Sequence, residues 1–357
     1  MTRLFLLSRL KRLWAASHRH DTGFTLPELL VVTAIAGGLI AGLMFIVAEL
    51  TGVDQREASR SETQREMQMA LDYISADLRE AVYVYGGQGR EIGEGENRVR
   101  VNGLQDLIPY LPESLSSADS DSIPILAFWK QHPYPEEVKQ NCADGDYEAD
   151  SGVSCAAGSS YALVVYSLVE RPEDDDDTPW QGRSRITRYT LTEFNSEGDP
   201  VPGYVNPGLY NNSFGKWPVF AVRGEGASNR QTERPSGNAV TLVDFVDEGE
   251  DLVTDPTSDD YPCIQADPTN PTDIGYALSP SPPSTSDDQA EDSFYACVSI
   301  PNTTVRNQDV TLFLRGNVWN RPGFLLDEEN DPSGPSALPT LETNVLTRGI
   351  LGRGPAN

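Results

Sequence analysis

The chain has 357 residues, with 27 Lys and Arg against 54 Asp and Glu, and a formal net charge of −27. Its hydrophobic content of 38% suffices for a buried core, while the acidic balance argues against a nucleic-acid partner, because phosphate contacts need clustered Lys and Arg. Beyond the first 20 residues His132 is the single imidazole, which disfavours a His-dependent active site or a multi-His metal site. Since the common catalytic and nucleotide-binding motifs are also absent from the sequence, we expect neither an enzyme nor a cofactor, although a pair of catalytic carboxylates stays open among so many acids.

The first 23 residues are basic and precede an apolar stretch. Beyond them the chain carries 22 basic and 53 acidic side chains, whereas the segment itself carries one acid, Asp21, and the five basic residues Arg3, Arg9, Lys11, Arg12 and Arg19. Residues 29–48 contain no charge, and a helix of that length spans about 30 Å, the thickness of a bilayer's hydrocarbon core. We therefore expect a single-pass protein of the cytoplasmic membrane, with its N-terminus in the cytoplasm and its body periplasmic or extracellular.

The junction Gly23-Phe24-Thr25-Leu26-Pro27-Glu28 separates the basic leader from the apolar run. It resembles the cleavage and methylation site of type IV prepilins and pseudopilins. The resemblance implies that a prepilin peptidase removes residues 1–23 by cutting after Gly23, that Phe24 becomes N-methylated, and that Glu28 is the acid used in assembly. Pro27 departs from the commoner aliphatic residue, but a proline in the first helical turn lacks only an N–H that would be unpaired anyway.

Glu28 also calls for a physical explanation of its own. A carboxylate at the edge of an apolar run is costly to desolvate, and cleavage would place the cationic amine of Phe24 four residues away, in the same chain or in a neighbouring subunit. The alternative is an interfacial Glu that snorkels to the lipid headgroups. Within the run, the pattern Gly38-x-x-x-Gly42 would permit close contact between helices. Because Gly37 stands beside it, we favour the interpretation that the three glycines loosen the helix locally.

The helix is predicted to continue beyond the membrane, with a membrane half over 24–50 and an amphipathic half over 51–85. Residues 54–66 are polar on all sides and suit an exposed stalk. One stripe at helical spacing should then pack on a globular body, formed by Met67, Leu71, Ile74, Leu78, Val82 and Tyr85. Gly86-Gly87 should end the helix. The charged residues of the other faces are expected to be solvated, namely Arg65, Asp72, Asp77, Arg79 and Glu80.

Residues 64–85, QREMQMALDYISADLREAVYVY, are similar to a segment of minor pilins and pseudopilins of the PilW and GspJ type. The chain resembles more closely the cyanobacterial pseudopilins of hormogonium polysaccharide secretion, the HpsC-like group, through NAVTLVDFVDEGED (238–251), VTLFLRGNVWNR (310–321) and LPTLETNVLTRGIL (338–351). The likeness covers the first 85 or so residues and then these patches, and apart from 238–251 the middle of the chain, about 130–300, matches no segment of the family. It implies a minor pseudopilin of a type IV pilus-like or type II secretion-like machine for polysaccharide export, which assembles with other pilin-like subunits. The alternatives are a minor pilin of a motility pilus and a membrane-anchored adhesin that binds surface glycans.

The body, residues 86–357, is predicted to be β-rich. Alternating or continuous apolar runs bounded by Pro, Gly, Asp and Ser predict strands at 98–101, 123–130, 161–169, 185–194, 240–246, 294–300 and 310–315. An antiparallel sheet packed on the N-terminal helix follows, which is an α+β fold. Two polar segments, 195–237 and 249–292, are too long to be simple turns.

Four cysteines are expected to hold two loops of the body closed, a twelve-residue acidic loop and a longer one. Outside the cytoplasm they would form two disulfides, and of the three possible pairings we favour Cys142 with Cys155 and Cys263 with Cys297, because each pair then encloses one loop. Zinc binding is the rival hypothesis, but no pair has C-x-x-C spacing.

Acidic residues alternate inside the first cysteine loop and are candidate calcium ligands, namely Asp144, Asp146, Glu148 and Asp150. Counted from Asp144, however, Ala149 and Cys155 stand where an EF-hand needs Gly and Glu. A solvated acidic surface is the alternative interpretation, and we expect no dedicated metal centre.

Overall fold

The computed structural model describes residues 24–92, 99–115, 122–147, 152–171, 181–209, 214–221, 227–247, 252–253, 258, 260–265, 275–280, 292–300, 307–324 and 338–348. The chain divides into two compact units, Met1–Gln55 and Arg56–Asn357.

Helix α1, Leu26–Arg79, is 54 residues long. Pro27 lies in its first turn, as predicted, and from there to Arg79 no further proline interrupts it. Inside the second unit its buried apolar face consists of Met67, Ala70, Leu71, Ile74 and Leu78, at the three- and four-residue spacings of one helical stripe.

The predicted end of this helix, at residue 85, is wrong. The helix stops at Arg79, and strand β1, Ala81–Val84, follows at once and pairs antiparallel with strand β4, Ser122–Pro133. In the sequence, Val82 and Tyr85 continue the helical spacing of the apolar stripe. However, the run Val-Tyr-Val-Tyr favours an extended backbone when the edge of another strand is free to pair with it.

The larger sheet has five antiparallel strands in the order β1-β4-β5-β6-β9. Besides β1 and β4 it contains β5, Ser159–Glu170, β6, Ser184–Leu191, and β9, Val240–Val246. The middle of β5 is buried without alternation, because both faces of this sheet are covered.

A second antiparallel sheet has the order β10-β11-β12-β13, with β10 Tyr276–Ser279, β11 Phe294–Ser299, β12 Asp309–Leu314 and β13 Leu341–Leu346. The alternating burial of β12 turns one of its faces to the core and the other outward. Gln308 links the two sheets, since its side-chain amide accepts a hydrogen bond from Val84 N and donates one to Val84 O, both at 2.8 Å.

The remaining elements are short. Two hairpins pair β2, Arg90–Ile92, with β3, Val99–Val101, and β7, Val219–Ala221, with β8, Ala227–Asn229. There are also two short helices, α2, Leu104–Leu107, and α3, Glu136–Asp144. Four 3₁₀ turns lie at Ile108–Tyr110, Glu113–Leu115, Pro207–Leu209 and Phe214–Lys216. The α+β class is confirmed, with two main sheets where the sequence predicted one.

One hydrophobic core lies between α1 and the two main sheets, and a second covers the opposite face of the five-stranded sheet. The second core draws on the segment 195–237, which was expected to be a long polar loop. Trp217 packs edge-on against Trp129, with ring centroids 5.4 Å apart, and its Nε1 donates a hydrogen bond to Val205 O at 2.9 Å. This segment is therefore partly a cover for the sheet.

Each predicted strand is present in the described residues, with shifted ends: 123–130 and 161–169 are longer as β4 and β5, and 185–194 ends early, at Leu191 of β6. Sequence reasoning missed β1, β2, β7, β8, β10 and β13.

Candidate functional site

The junction of leader and helix is organised around Thr25 and Glu28. Leu29 N donates a hydrogen bond to Thr25 O at 3.1 Å, and the Thr25 hydroxyl lies 3.5 Å from Oε2 of Glu28, the third residue of the helix. Thr-x-x-Glu also matches the sequence pattern of a capping box, although this contact joins the two side chains and is not one of the side-chain-to-backbone bonds of that motif. An acid in the first turn also interacts favourably with the helix dipole. Gly23 lies outside the described residues, so the predicted cleavage site has no structural account.

The apolar part of α1, residues 26–50, buries nothing in its own unit. Every residue from Phe24 to Thr51 is exposed, and the exposed fraction of Phe45, for example, is 71%. By length and composition this is a helix that could cross a membrane. A continuous apolar surface of this length is unfavourable in water, so it requires a cover of lipid or of other apolar helices.

In the second unit, the C-terminal part of α1 is fixed to the five-stranded sheet by Asp77. Its Oδ1 accepts a hydrogen bond from Lys130 Nζ at 2.8 Å, and its Oδ2 accepts from Arg188 Nε at 2.8 Å and from the Tyr166 hydroxyl at 2.7 Å. The prediction that Asp77 is solvated is wrong, since its side chain is 11% exposed. The signal was present in the sequence: Asp77 follows Ile74 by three residues and so lies on the buried stripe.

The charges of this cluster stabilise one another. Burial by itself would raise the pKa of Asp77, but the hydrogen bonds from Lys130, Tyr166 and Arg188 outweigh it and hold that pKa below its ordinary value. Burial likewise opposes the charge on Lys130, yet hydrogen bonds to Asp77 and Glu80 raise the pKa of its ammonium. The cluster is therefore ionised at neutral pH and fixes the rotation of α1 on the sheet.

A second attachment is formed by residues 316–324, here called the strap, which lie along the polar part of α1. Ser59 Oγ donates to Pro322 O at 2.8 Å and Arg56 Nε donates to Gly323 O at 3.1 Å. Arg321 pairs with Glu62 at 3.2 Å and also with Glu66.

Gly323 has a φ of +86°, and a Cβ there would lie 2.9 Å from Arg56 Cγ, so the close approach of the strap requires glycine. Residues 54–66 were predicted to be an exposed stalk. That prediction is wrong at Ser59 and Thr63, which are buried beneath the strap.

The disulfides join Cys142 to Cys155 and Cys263 to Cys297, so the sequential pairing is confirmed. No cysteine is left as a thiolate for the rival zinc hypothesis. Cys142 lies in the last turn of α3, whereas Cys297 belongs to β11 and is buried with Cys263 in a small apolar cluster.

The calcium candidates are not brought together by the described structure. Asp144 and Asp146 are both exposed, and Glu148 and Asp150 lie outside the described residues. Among the residues that the structure describes, no group of three or more His, Cys, Asp and Glu is placed to hold a metal ion.

Comparison with known proteins gives no match to a family model, to a curated protein or to a solved structure. The features of the chain that bear on function are therefore the junction, the exposed apolar part of α1 and the attachments of α1 in the second unit.

Proposed function

We propose that this chain is a membrane-anchored minor pseudopilin, a structural and assembly subunit of a type IV pilus-like or type II secretion-like machine that exports polysaccharide. One observation carries the proposal: the junction Gly23-Phe24-Thr25-Leu26-Pro27-Glu28 leads directly into a helix whose first 25 or so residues bury none of their apolar side chains in their own unit. A prepilin peptidase would cut the junction, and inner-membrane lipid would cover the helix until assembly.

The mechanism is mechanical. Residues 26–50 exchange a lipid cover for the helices of other pilin-like subunits when the subunit enters a filament. The second half of α1 carries the body, because its buried stripe, Asp77 and the strap all attach the helix to the sheets. Three separate kinds of contact therefore resist sliding of the helix along the body when a subunit is pushed or pulled.

Glu28 supplies partner selection. After cleavage the methylated amine of Phe24 is a cation at the membrane edge, and the first-turn carboxylate of a neighbouring subunit is its natural counter-charge. The Thr25 hydroxyl lies 3.5 Å from Oε2 of Glu28 and helps to hold that carboxylate at the first turn of the helix.

The test is the variant Glu28→Ala, with Glu49→Ala as the matched control at the opposite end of the same apolar stretch. We expect Glu28→Ala to be cleaved and inserted normally but to enter filaments or secretion complexes about tenfold less, because the lost ion pair changes the equilibrium by about 1.4 kcal/mol or more. Quantitative mass spectrometry of purified complexes measures the incorporation. Normal incorporation of Glu28→Ala, or an equal loss for both variants, would contradict the proposed role.

A further inference from the structure

A trough of about 450 Å³ runs between α1 and strand β9, within the second unit. One wall is a single stripe of the helix, Glu66, Met69, Ala70 and Tyr73, and the other is the four consecutive residues 242–245 of β9. Consecutive strand residues point alternately to the two faces of a sheet, so a wall made of four in a row is the edge of the strand rather than one of its faces.

That edge is open in the part of the chain that the structure describes. β9 is the last strand of its sheet and pairs with β6 alone. At its C-terminal end the edge is already used by the chain itself, because Asn317 N donates to Phe245 O at 2.8 Å and Asp247 N donates to Arg315 O at 3.0 Å. The neighbouring stretch, from Val240 to Asp244, has no strand beside it on this side among the described residues, and it is separated from the paired end by Phe245, whose φ is +61°.

Exposed apolar side chains lie on both elements that form the trough, and two of them, Met69 and Tyr73, line it. Met69 is 54% exposed, Tyr73 48% and Val240 72%. They are three of the seven large apolar residues that are exposed in the described part of the second unit, and all three lie on the two elements that form the trough. Such clustering marks an interaction surface more often than scattered exposure does.

The charge around the trough narrows the choice of occupant. Two carboxylates line it: Glu66 is paired with Arg321, and Asp244 accepts hydrogen bonds from the backbone N–H groups of Gln181 and Phe245. The chain beyond residue 23 has 22 basic against 53 acidic side chains, so the body as a whole is strongly acidic. A second copy of this chain would bring like charge to the trough, whereas a partner with Lys or Arg beside apolar residues would be complementary.

We propose that the trough binds an extended segment of another protein, which adds as a further strand to β9. Alternate side chains of the segment fill the apolar wall at Met69 and Tyr73, and Lys or Arg residues of the segment complement the net negative charge of the body. This is binding by β-strand addition, in which main-chain hydrogen bonds supply affinity and alternate side chains supply specificity. The proposed binding at the trough does not depend on whether the chain assembles as a pseudopilin.

The test uses the full chain in lipid nanodiscs and fluorescent peptides of about seven residues, which match the length of an added strand at about 3.3 Å per residue. The first peptide alternates Val or Phe with Lys. The second replaces Lys by Glu, the third is N-methylated at alternate residues so that one edge cannot pair, and the fourth has the composition of the first but is stapled as a helix.

Fluorescence anisotropy should show that the Lys peptide binds and that the Glu and N-methylated peptides bind about tenfold more weakly or worse. Met69→Glu should weaken binding to a similar degree. The control is Leu346→Glu, at an exposed apolar residue of β13, the edge strand of the other sheet, and it should leave binding unchanged.

Two results would overturn the proposal. Equal binding of the N-methylated or stapled peptide would mean that the surface takes a helix or a non-specific apolar ligand. Failure of every peptide to bind would mean that the register shifts of β9 and the charge of Asp244 protect this edge from pairing.

Discussion

At the scale of single residues, Asp77 accepts hydrogen bonds from Lys130, Tyr166 and Arg188 where α1 lies over the five-stranded sheet. Its replacement by a neutral amide leaves two cations of the sheet without their shared counter-charge. We expect Asp77→Asn to lower the free energy of unfolding by about 3 kcal/mol, the cost of removing one partner from a buried ion pair. Asp72→Asn, at an exposed aspartate of the same helix, should change it little. Chemical denaturation of the two variants measures the difference, and equal stabilities would contradict the role given to Asp77.

The free energy of unfolding of wild type relative to Asp77→Asn should change with pH in a definite direction. The pKa of Asp77 in the folded chain lies below its ordinary value of 3.8, so its contribution to stability is fully present above about pH 4 and is lost as the pH falls through the lower, folded value. Burial raises the pKa of Glu66 and Glu193, which gives these two acids the opposite trend. The difference between wild type and Asp77→Asn isolates the Asp77 contribution, and it should be constant near neutral pH and shrink in acid. A difference that grows in acid would contradict the assignment.

At the scale of elements, α1 shows what the sequence could predict. The uncharged run and the stripe from Met67 to Leu78 predicted a long helix that packs through one face of its second half. The helix is present, and the stripe is its buried face in the second unit. The stop at Arg79 depends on β4, which offers its edge to β1 from some fifty residues further along the chain. The spacing of apolar residues is a local property of the sequence, so it could not show that residues 81–84 pair with a distant strand instead of extending the helix.

The second core was hidden for a similar reason. The segment 195–237 is polar in composition, and its apolar residues are spaced by turns and prolines rather than by a helical or strand period. Val205, Phe214, Trp217 and Phe220 are buried because β4 and β5 present an apolar outer face to them. Contacts between such distant parts of the chain leave no pattern in the sequence of either part.

The two disulfides should differ in their effect when they are removed. Replacement of Cys142 and Cys155 by Ala opens a bridge between residues 13 apart at the end of α3, and the chain-entropy model assigns it about 3 kcal/mol. Replacement of Cys263 and Cys297 opens a bridge between residues 34 apart that is buried on β11, so the loss should reach about 4 kcal/mol or more.

Hydrogen exchange separates the two cases. The first double variant should gain exchange only around 136–158, while the second should gain it across β10, β11 and β12. Exchange spreading through the five-stranded sheet in the first variant would contradict the local role of that bridge.

At the scale of the whole molecule, net charge limits which position in a filament the proposed pseudopilin can take. Beyond the leader, 53 acids face 22 basic residues, so copies repeated side by side along a filament would repel one another at close range. A position that occurs once per assembly, at the tip or in an initiating complex, avoids this repulsion. Quantitative mass spectrometry of purified filaments or secretion complexes should therefore find this chain much scarcer than the major subunit. Comparable amounts of the two would contradict the tip position.

The central claim, that the chain is processed as a pseudopilin, is tested most directly by the N-terminus of the mature protein. Mass spectrometry of protein purified from membranes should find a chain that begins at N-methylated Phe24 and has lost residues 1–23. Gly23→Leu should leave the precursor uncut but still inserted, because the apolar residues 26–50 are unchanged. A mature chain that keeps Met1, or one that begins after Ala48 as a secretory signal would leave it, would contradict the account.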